Sequence, residues 1–195
     1  MSVAAERRPG RPRSATADQA ILDAALELFV EAGLEGLAVE QVAARAGVGK
    51  ATIYRRYPGK IDLVIAAARC LTSSVAPVPD TGTADGDLRA IARGLVHLLT
   101  QTMAGQAVAQ VVAEVQRNGD LRRAHAEFVT GRRAGTIAAV KRGIERGELR
   151  ADTDAELVAD LLAGPIFYRH LVSGGRLDPA FADRLVDEVL AGLRA

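Results

Sequence analysis

Three observations predict an all-helical fold in two parts. The chain of 195 residues is 49% hydrophobic but only 4% aromatic and has no Trp, and its abundance of Ala, Leu, Val and Arg favours helices over a β-sandwich or barrel. Apolar residues recur three and four positions apart through about nine segments, with no competing alternation. Inside the region expected to fold, the one stretch dense in Pro, Gly and Asp runs from Pro77 to Asp87, which predicts a linker at about 76–86.

The first helix is expected to open on Thr16 and Gln19, spaced as a capping box. It carries Ile21, Ala24, Ala25, Leu28 and Phe29 on one face and stops at Gly33. A second, short helix from about Val39 to Ala46 turns Val42 and Ala43 inward, and Gly47 follows where a left-handed residue is needed. Gly49 can cap a third helix, with Val48 and Ile53 spaced as a hydrophobic staple. Pro58 and Gly59 end it, and a fourth helix runs from about Lys60 to Ser73.

Beyond the linker, helices are expected at about 87–104, 106–118, 121–146, 154–173 and 179–194. Their limits are set by Asn118 with Gly119, Gly147, a Thr153–Glu156 capping box, Gly174 with Gly175, and Asp178 followed by Pro179. The domain reading is therefore a disordered basic tail over 1–14, an N-terminal helical domain over 15–75, a linker over 76–86, and a larger helical domain over 87–195.

The formal net charge is +1, so a nucleic-acid surface has to be a local concentration of charge. Between Gln41 and Lys60 the charged residues are Arg45, Lys50, Arg55, Arg56 and Lys60, with no Asp or Glu among them. The single cysteine, Cys70, excludes an intramolecular disulfide and a Cys-based zinc site, and reads as a small buried hydrophobe in a reducing compartment. No apolar run approaches the ~18 residues of a membrane span, and no signal segment opens the chain, so a cytoplasmic protein is expected.

Ala43 stands four residues before Gly47 and Ile53 six after it, the spacing of a helix-turn-helix over about 38–57 that displays its second helix. The run from Val42 through Lys60, VAARAGVGKATIYRRYPGK, resembles the DNA reader of the TetR family, a similarity that covers roughly 15–75. The chain departs from the family's usual pattern at Ala38 (usually Thr), Gly49 (usually Ser) and Ile61 (commonly Glu). The resemblance implies that Lys50, Ala51, Thr52, Tyr54, Arg55 and Arg56 lie on or near the major-groove face and that Lys60 meets a phosphate. Arg can address guanine bidentately, and Ala51 and the Thr52 methyl can meet a thymine methyl. The segment Arg8-Pro9-Gly10-Arg11-Pro12-Arg13 resembles an AT-hook, which implies minor-groove contact by Arg11 and Arg13; a merely solubilising tail is the alternative.

The segment from Gly164 to Leu171, GPIFYRHL, is similar to TetR-type C-terminal domains, in which this region dimerises and the preceding helices enclose an effector. The helix 154–173 is apolar almost all round. The last helix carries a stripe, so Leu157, Leu161, Tyr168, Ala182, Leu185, Val186, Val189 and Leu193 are expected at a homodimer seam, with a monomer core as the alternative. Pro165 is expected to kink its helix. Candidate effector contacts, polar or aromatic within aliphatic helices, are His97, Gln101, Met103, Gln110, Glu114, His125, Phe128, Phe167 and His170.

Enzyme readings fail on motif. Gly47-Val48-Gly49-Lys50 lacks the first Gly and the final Ser or Thr of a phosphate loop, and the three histidines have no metal-ligand spacing. No catalytic residue, metal or cofactor is expected. The expected partners are operator DNA, a second copy of the chain and an unidentified small molecule; an architectural protein that coats DNA without sequence choice is the alternative.

Overall fold

The structure, a computed structural model, describes residues 13–73 and 79–194. Arg11, the other tail residues before Arg13, and the side chains of Arg13 and Cys70 lie outside the described residues. Among those described, every regular element is a helix, and a single isolated antiparallel bridge pairs Leu149 with Arg194. None of these helices is long and apolar enough to cross a membrane.

The chain divides into two compact units, 1–67 and 68–195. In the first, α1 (Arg13–Gly36) is broken at Gly33, whose φ of 66° and ψ of −174° are not helical. The stop expected there is present, but the start is not at Thr16. Arg13 and Ala15 are good helix formers, so the helix is already under way when it reaches Thr16. Helices α2 (Val39–Arg45), α3 (Lys50–Tyr54) and α4 (Lys60–Ser73) follow. Ile21, Ala25 and Phe29 of α1, Val42 of α2, Ile53 of α3 and Leu63 of α4 are almost wholly removed from solvent, each large side chain contributing about 2 kcal/mol of burial. The division between units falls inside α4, after Ala67. Apolar Leu63–Ala68 runs through the boundary without a break in pattern, so composition cannot mark it.

The second unit contains α5 (Ala84–Gln101), α6 (Met103–Arg117), α7 (Gly119–Glu145), α8 (Ala155–Tyr168) and α9 (Pro179–Ala191). Helix α5 is the central element, packed against α6, α7, α8 and α9. Its stripe of Leu88, Ala92, Leu95, Val96 and Leu99 meets Val140, Val158, Leu162, Ile166, Ala182, Val186 and Leu190 in one core. The caps are side-chain oxygens. Asn118 accepts from the amides of Asp120 and Leu121 at 3.0 and 3.1 Å, and Asp178 from that of Phe181 at 2.8 Å. The start of α8 is capped by Asp154, which accepts from Glu156 and Leu157 at 2.9 and 3.1 Å, where Thr153 was expected. An ionised carboxylate at a helix N-terminus makes the stronger, charge-assisted bond.

Pro165 lies inside α8, which continues to Tyr168 and then widens into a π-helical turn, Arg169–Ser173, that ends at left-handed Gly174. Ala182 and Val186, expected at the dimer seam, are fully buried in the chain's own core, with Leu185, Val189 and Leu193 packed beside it. Helix α5 thus covers the inner part of the α9 stripe within the same chain, while Leu185, Val189 and Leu193 stay half-buried. Most of the large apolar residues left exposed in this unit are on α8 and its π-helical extension, Leu157, Leu161, Tyr168, Leu171 and Val172, with Val112 of α6 and Val129 of α7 besides.

A buried carboxylate locks the start of α5 to the end of α7. Asp87 is fully buried, accepts from the Thr81 amide at 2.6 Å and hydroxyl at 2.9 Å, and receives Arg142 at 2.8 Å. Gly143 permits the approach, since a Cβ there would stand 2.8 Å from the Ala84 Cβ. Burial alone would raise the Asp87 pKa, but the bonds from Thr81 and Arg142 outweigh it and the net shift is downward. A depressed carboxylate pKa stabilises the fold above the unfolded value near ~4 and ceases to do so as pH falls through the folded value. Asp87→Ala is expected to cost roughly 3 kcal/mol at pH 7 by leaving Arg142 and Thr81 without their acceptor. The difference from wild type, followed by thermal unfolding, should shrink as the pH is taken below about 4; a gap that persists there refutes the assignment.

Candidate nucleic-acid interface

The turn between α2 and α3 closes through two backbone bonds, Gly47 N–H to the Ala44 carbonyl at 3.3 Å and Val48 N–H to the Ala43 carbonyl at 3.0 Å. This is the pairing that terminates a helix on a left-handed residue, and Gly47 has φ +65°. Gly49, extended at φ −75° and ψ 143°, then caps α3 without a side chain, and Ala38 likewise caps α2 without one. Only the backbone therefore sets the bend. Ile53, 1% exposed, and Ala43, 4% exposed, bury the inner sides of the two helices.

The outer side of α3 is what remains. Lys50, Ala51, Tyr54 and Arg55 are exposed and Thr52 is half-buried. Most of the basic groups around it have acidic partners. Arg45 makes a two-pronged pair with Glu31 at 2.9 and 3.0 Å and reaches Glu27 at 3.5 Å; Lys50 pairs with Glu40 at 2.9 Å; Lys60 stands 4.0 Å from Glu35. The hydrogen bond from Arg45 holds Glu31 below the usual carboxylate range, and that from Lys50 does the same for Glu40. Arg56, expected on or near the reading face, forms a half-buried ion pair with Asp18 of α1. Arg55 has no carboxylate partner among the described residues. The sequence signal for Arg56 was missing because Asp18 lies 38 positions away, on a helix face that only the fold brings to α3.

The surface is thus a short helix on a tight bend, carrying a guanidinium without a carboxylate partner among the described residues, a phenol, a hydroxyl and an exposed ammonium. Guanidinium can bind a guanine edge or phosphate bidentately, and the others can hold a phosphate backbone. The sequence profile described as "Bacterial regulatory proteins, tetR family" matches residues 21–67, and that described as "Tetracyclin repressor-like, C-terminal domain" matches 78–189. The chain belongs to the TetR family. A Bacillus subtilis (strain 168) protein described as "Uncharacterized HTH-type transcriptional regulator YdeS" is 32% identical over 97% of this chain and 96% of its own length. The Mycobacteroides abscessus protein described as "DNA-binding transcriptional repressor TetR" is 31% identical over 91% of this chain and 94% of its own. The crystal structure of the TetR family transcription regulator SCO0332 superposes with a TM-score of 0.71 at 30% identity, covering 92% of this chain and 99% of that one. Like other TetR-family members, the chain is a DNA-binding transcriptional regulator.

The residues expected around a TetR-type effector are only partly brought together. His97 and Gln101 are exposed, because the buried stripe of α5 occupies the other side of that helix. Met103, Gln110 and Glu114 of α6 and His125 and Phe128 of α7 are half-buried. Glu114 has Arg117 at 3.8 Å. The His125 and Phe128 rings lie 6.4 Å apart, and burial lowers the His125 pKa. Phe167 packs against the core, and His170 Nε2 lies at hydrogen-bonding distance, 3.1 Å, from the Gly105 carbonyl, tying the π-helical turn to the start of α6.

Adding a side chain at Gly47 meets no neighbour, so its cost is conformational. Gly47→Val is expected to lower stability by about 1–2 kcal/mol through the left-handed backbone alone. Chemical denaturation of the purified variant checks this, and an unchanged midpoint at unchanged slope would contradict the geometry.

Proposed function

We propose that the chain is a cytoplasmic, ligand-released repressor that binds a near-palindromic operator as a homodimer and presents its two α3 helices to major grooves about 34 Å apart. The observation that carries the reading is the exposed Arg55, without a carboxylate partner among the described residues, beside the helix that the Gly47 bend displays. Arg55 reads a base edge, with Ala51 and Thr52 beside it. Lys50, Tyr54 and Lys60 contact the backbone, and Arg56 acts through Asp18 by holding α3 against α1. Repression is supported by the name of the Mycobacteroides abscessus relative. Dimerisation is supported by the exposed Leu157, Leu161 and Tyr168, a larger apolar face than a helix keeps in water without a partner. An effector that prefers the form with wrongly spaced readers would lower operator affinity by the same factor with which DNA opposes the effector.

Genomic fragments selected by the purified protein supply the DNA probe. A preference of about 1,000-fold or more over random DNA is expected. Arg55→Ala should lower affinity for the selected fragment about tenfold to a hundredfold at unchanged thermal stability. Equal affinity for random DNA would sink the sequence-specific reading.

The dimer has its own test. Leu161→Glu with Tyr168→Glu should yield monomers in sedimentation velocity while circular dichroism retains the helical content; a double variant that remains dimeric would rule out α8 as the seam.

A further inference from the structure

Arginines in the second unit reach acceptors. Arg93 pairs with Asp183 at 2.7 Å, Arg122 donates to the Val115 carbonyl at 3.1 Å, Arg133 pairs with Asp160, and Arg142 donates to Asp87. Arg132 does not. Its Nη1 is buried and has no hydrogen-bond partner among the described residues. Guanidinium stays charged at any working pH, and a buried cation without a counter-charge is strongly disfavoured. Desolvation weakens its hold on the proton without coming near neutralising it.

The surroundings show where a counter-charge would enter. The inward stripe of α7 is fully buried at one end, at Leu121, and at the other, at Thr136, Ala139, Val140 and Gly143. Between them His125, Phe128 and Arg132, at helical spacings of three and four, are only half-buried. The middle of this face is therefore partly open to solvent. Phe128 offers an apolar wall between a neutral imidazole and a guanidinium, since burial moves the His125 pKa further below neutrality.

We propose that this stretch of α7 is a recognition site for a small organic carboxylate, its carboxylate held by Arg132 and its apolar body laid against Phe128. The proposal deepens the ligand-release reading and rests on it. Arg132 supplies the bidentate fork that a carboxylate matches, and His125 supplies a hydrogen bond without competing for the charge.

The test uses the full chain with sodium benzoate and sodium octanoate, each beside its primary amide. At least one carboxylate should raise the melting temperature by about 5 °C at a hundredfold excess over Kd, its amide should not, and Arg132→Gln should lose the response. Equal shifts from acid and amide, an unaltered response in Arg132→Gln, or no response to either acid overturns the proposal. Without ligand, Arg132→Met should melt at or above the wild-type temperature, because it removes an uncompensated charge. A drop of several degrees reveals an internal partner and also overturns it. Gel shifts on the selected genomic fragment separate the two readings. Operator binding that survives while no carboxylate binds refutes the anion site alone, whereas carboxylate binding that leaves operator affinity unchanged supports the site and refutes ligand release.

Discussion

The displayed face of α3 depends on one backbone conformation, the left-handed turn at Gly47. Because neither α2 nor α3 has a side-chain N-cap, little else orients the two helices beyond the two closing bonds of the turn and the burial of Ala43 and Ile53. With five residues, α3 is too short to be stable alone. It is helical because Ile53 is buried and because Arg56 is anchored on Asp18. The outward direction of Tyr54 and Arg55 follows from those two attachments, since side chains on the far side of a helix from a buried anchor must point to solvent.

The same small unit answers a second problem, that of keeping a basic surface while carrying little net charge. Glu27, Glu31, Glu35 and Glu40 neutralise Arg45, Lys60 and Lys50 when the chain is free. These pairs are exposed and so individually weak, which lets a phosphate compete for the cation at modest cost. The least exposed pair of the set is Arg56 with Asp18, for which a phosphate would compete at greater cost. Two kinds of ion pair thus divide the work, one holding the reader in place and the others leaving its cations available.

The second unit is organised around α5, and its polar interactions follow the same division. Asp87 is deeply buried and satisfied by three donors, so it positions Arg142 and the segment that leads into α5. Arg89 and Arg93 tie α5 to α9 through Asp183 and Asp187 near the surface. What the unit leaves unsatisfied is equally informative. Among the described residues, Leu157, Leu161 and Tyr168 of α8 stay exposed and the Arg132 Nη1 has no partner. The first is a feature that a second copy of the chain can complete, and the second one that a small anion can.

Helix number, order and most limits were determined by the sequence, because periodicity, Gly at left-handed positions and side-chain caps are local. Gly47 between Ala43 and Ile53, Asn118 before α7 and Asp178 with Pro179 before α9 could all be read directly. The family was equally legible, since the run from Val42 to Lys60 carries its own spacing. Tertiary structure decided which of two apolar stripes is turned inward. Leu161 and Val186 are both aliphatic and similarly spaced, yet Val186 is fully buried beside α5 whereas Leu161 stays 47% exposed. It also decided which charges are paired, giving Arg56 a partner in Asp18 and leaving the Arg132 Nη1 without one among the described residues, because such partners come from segments distant in sequence. Local patterns report the conformational preferences of a few neighbouring residues, whereas burial and pairing depend on what the rest of the chain brings alongside.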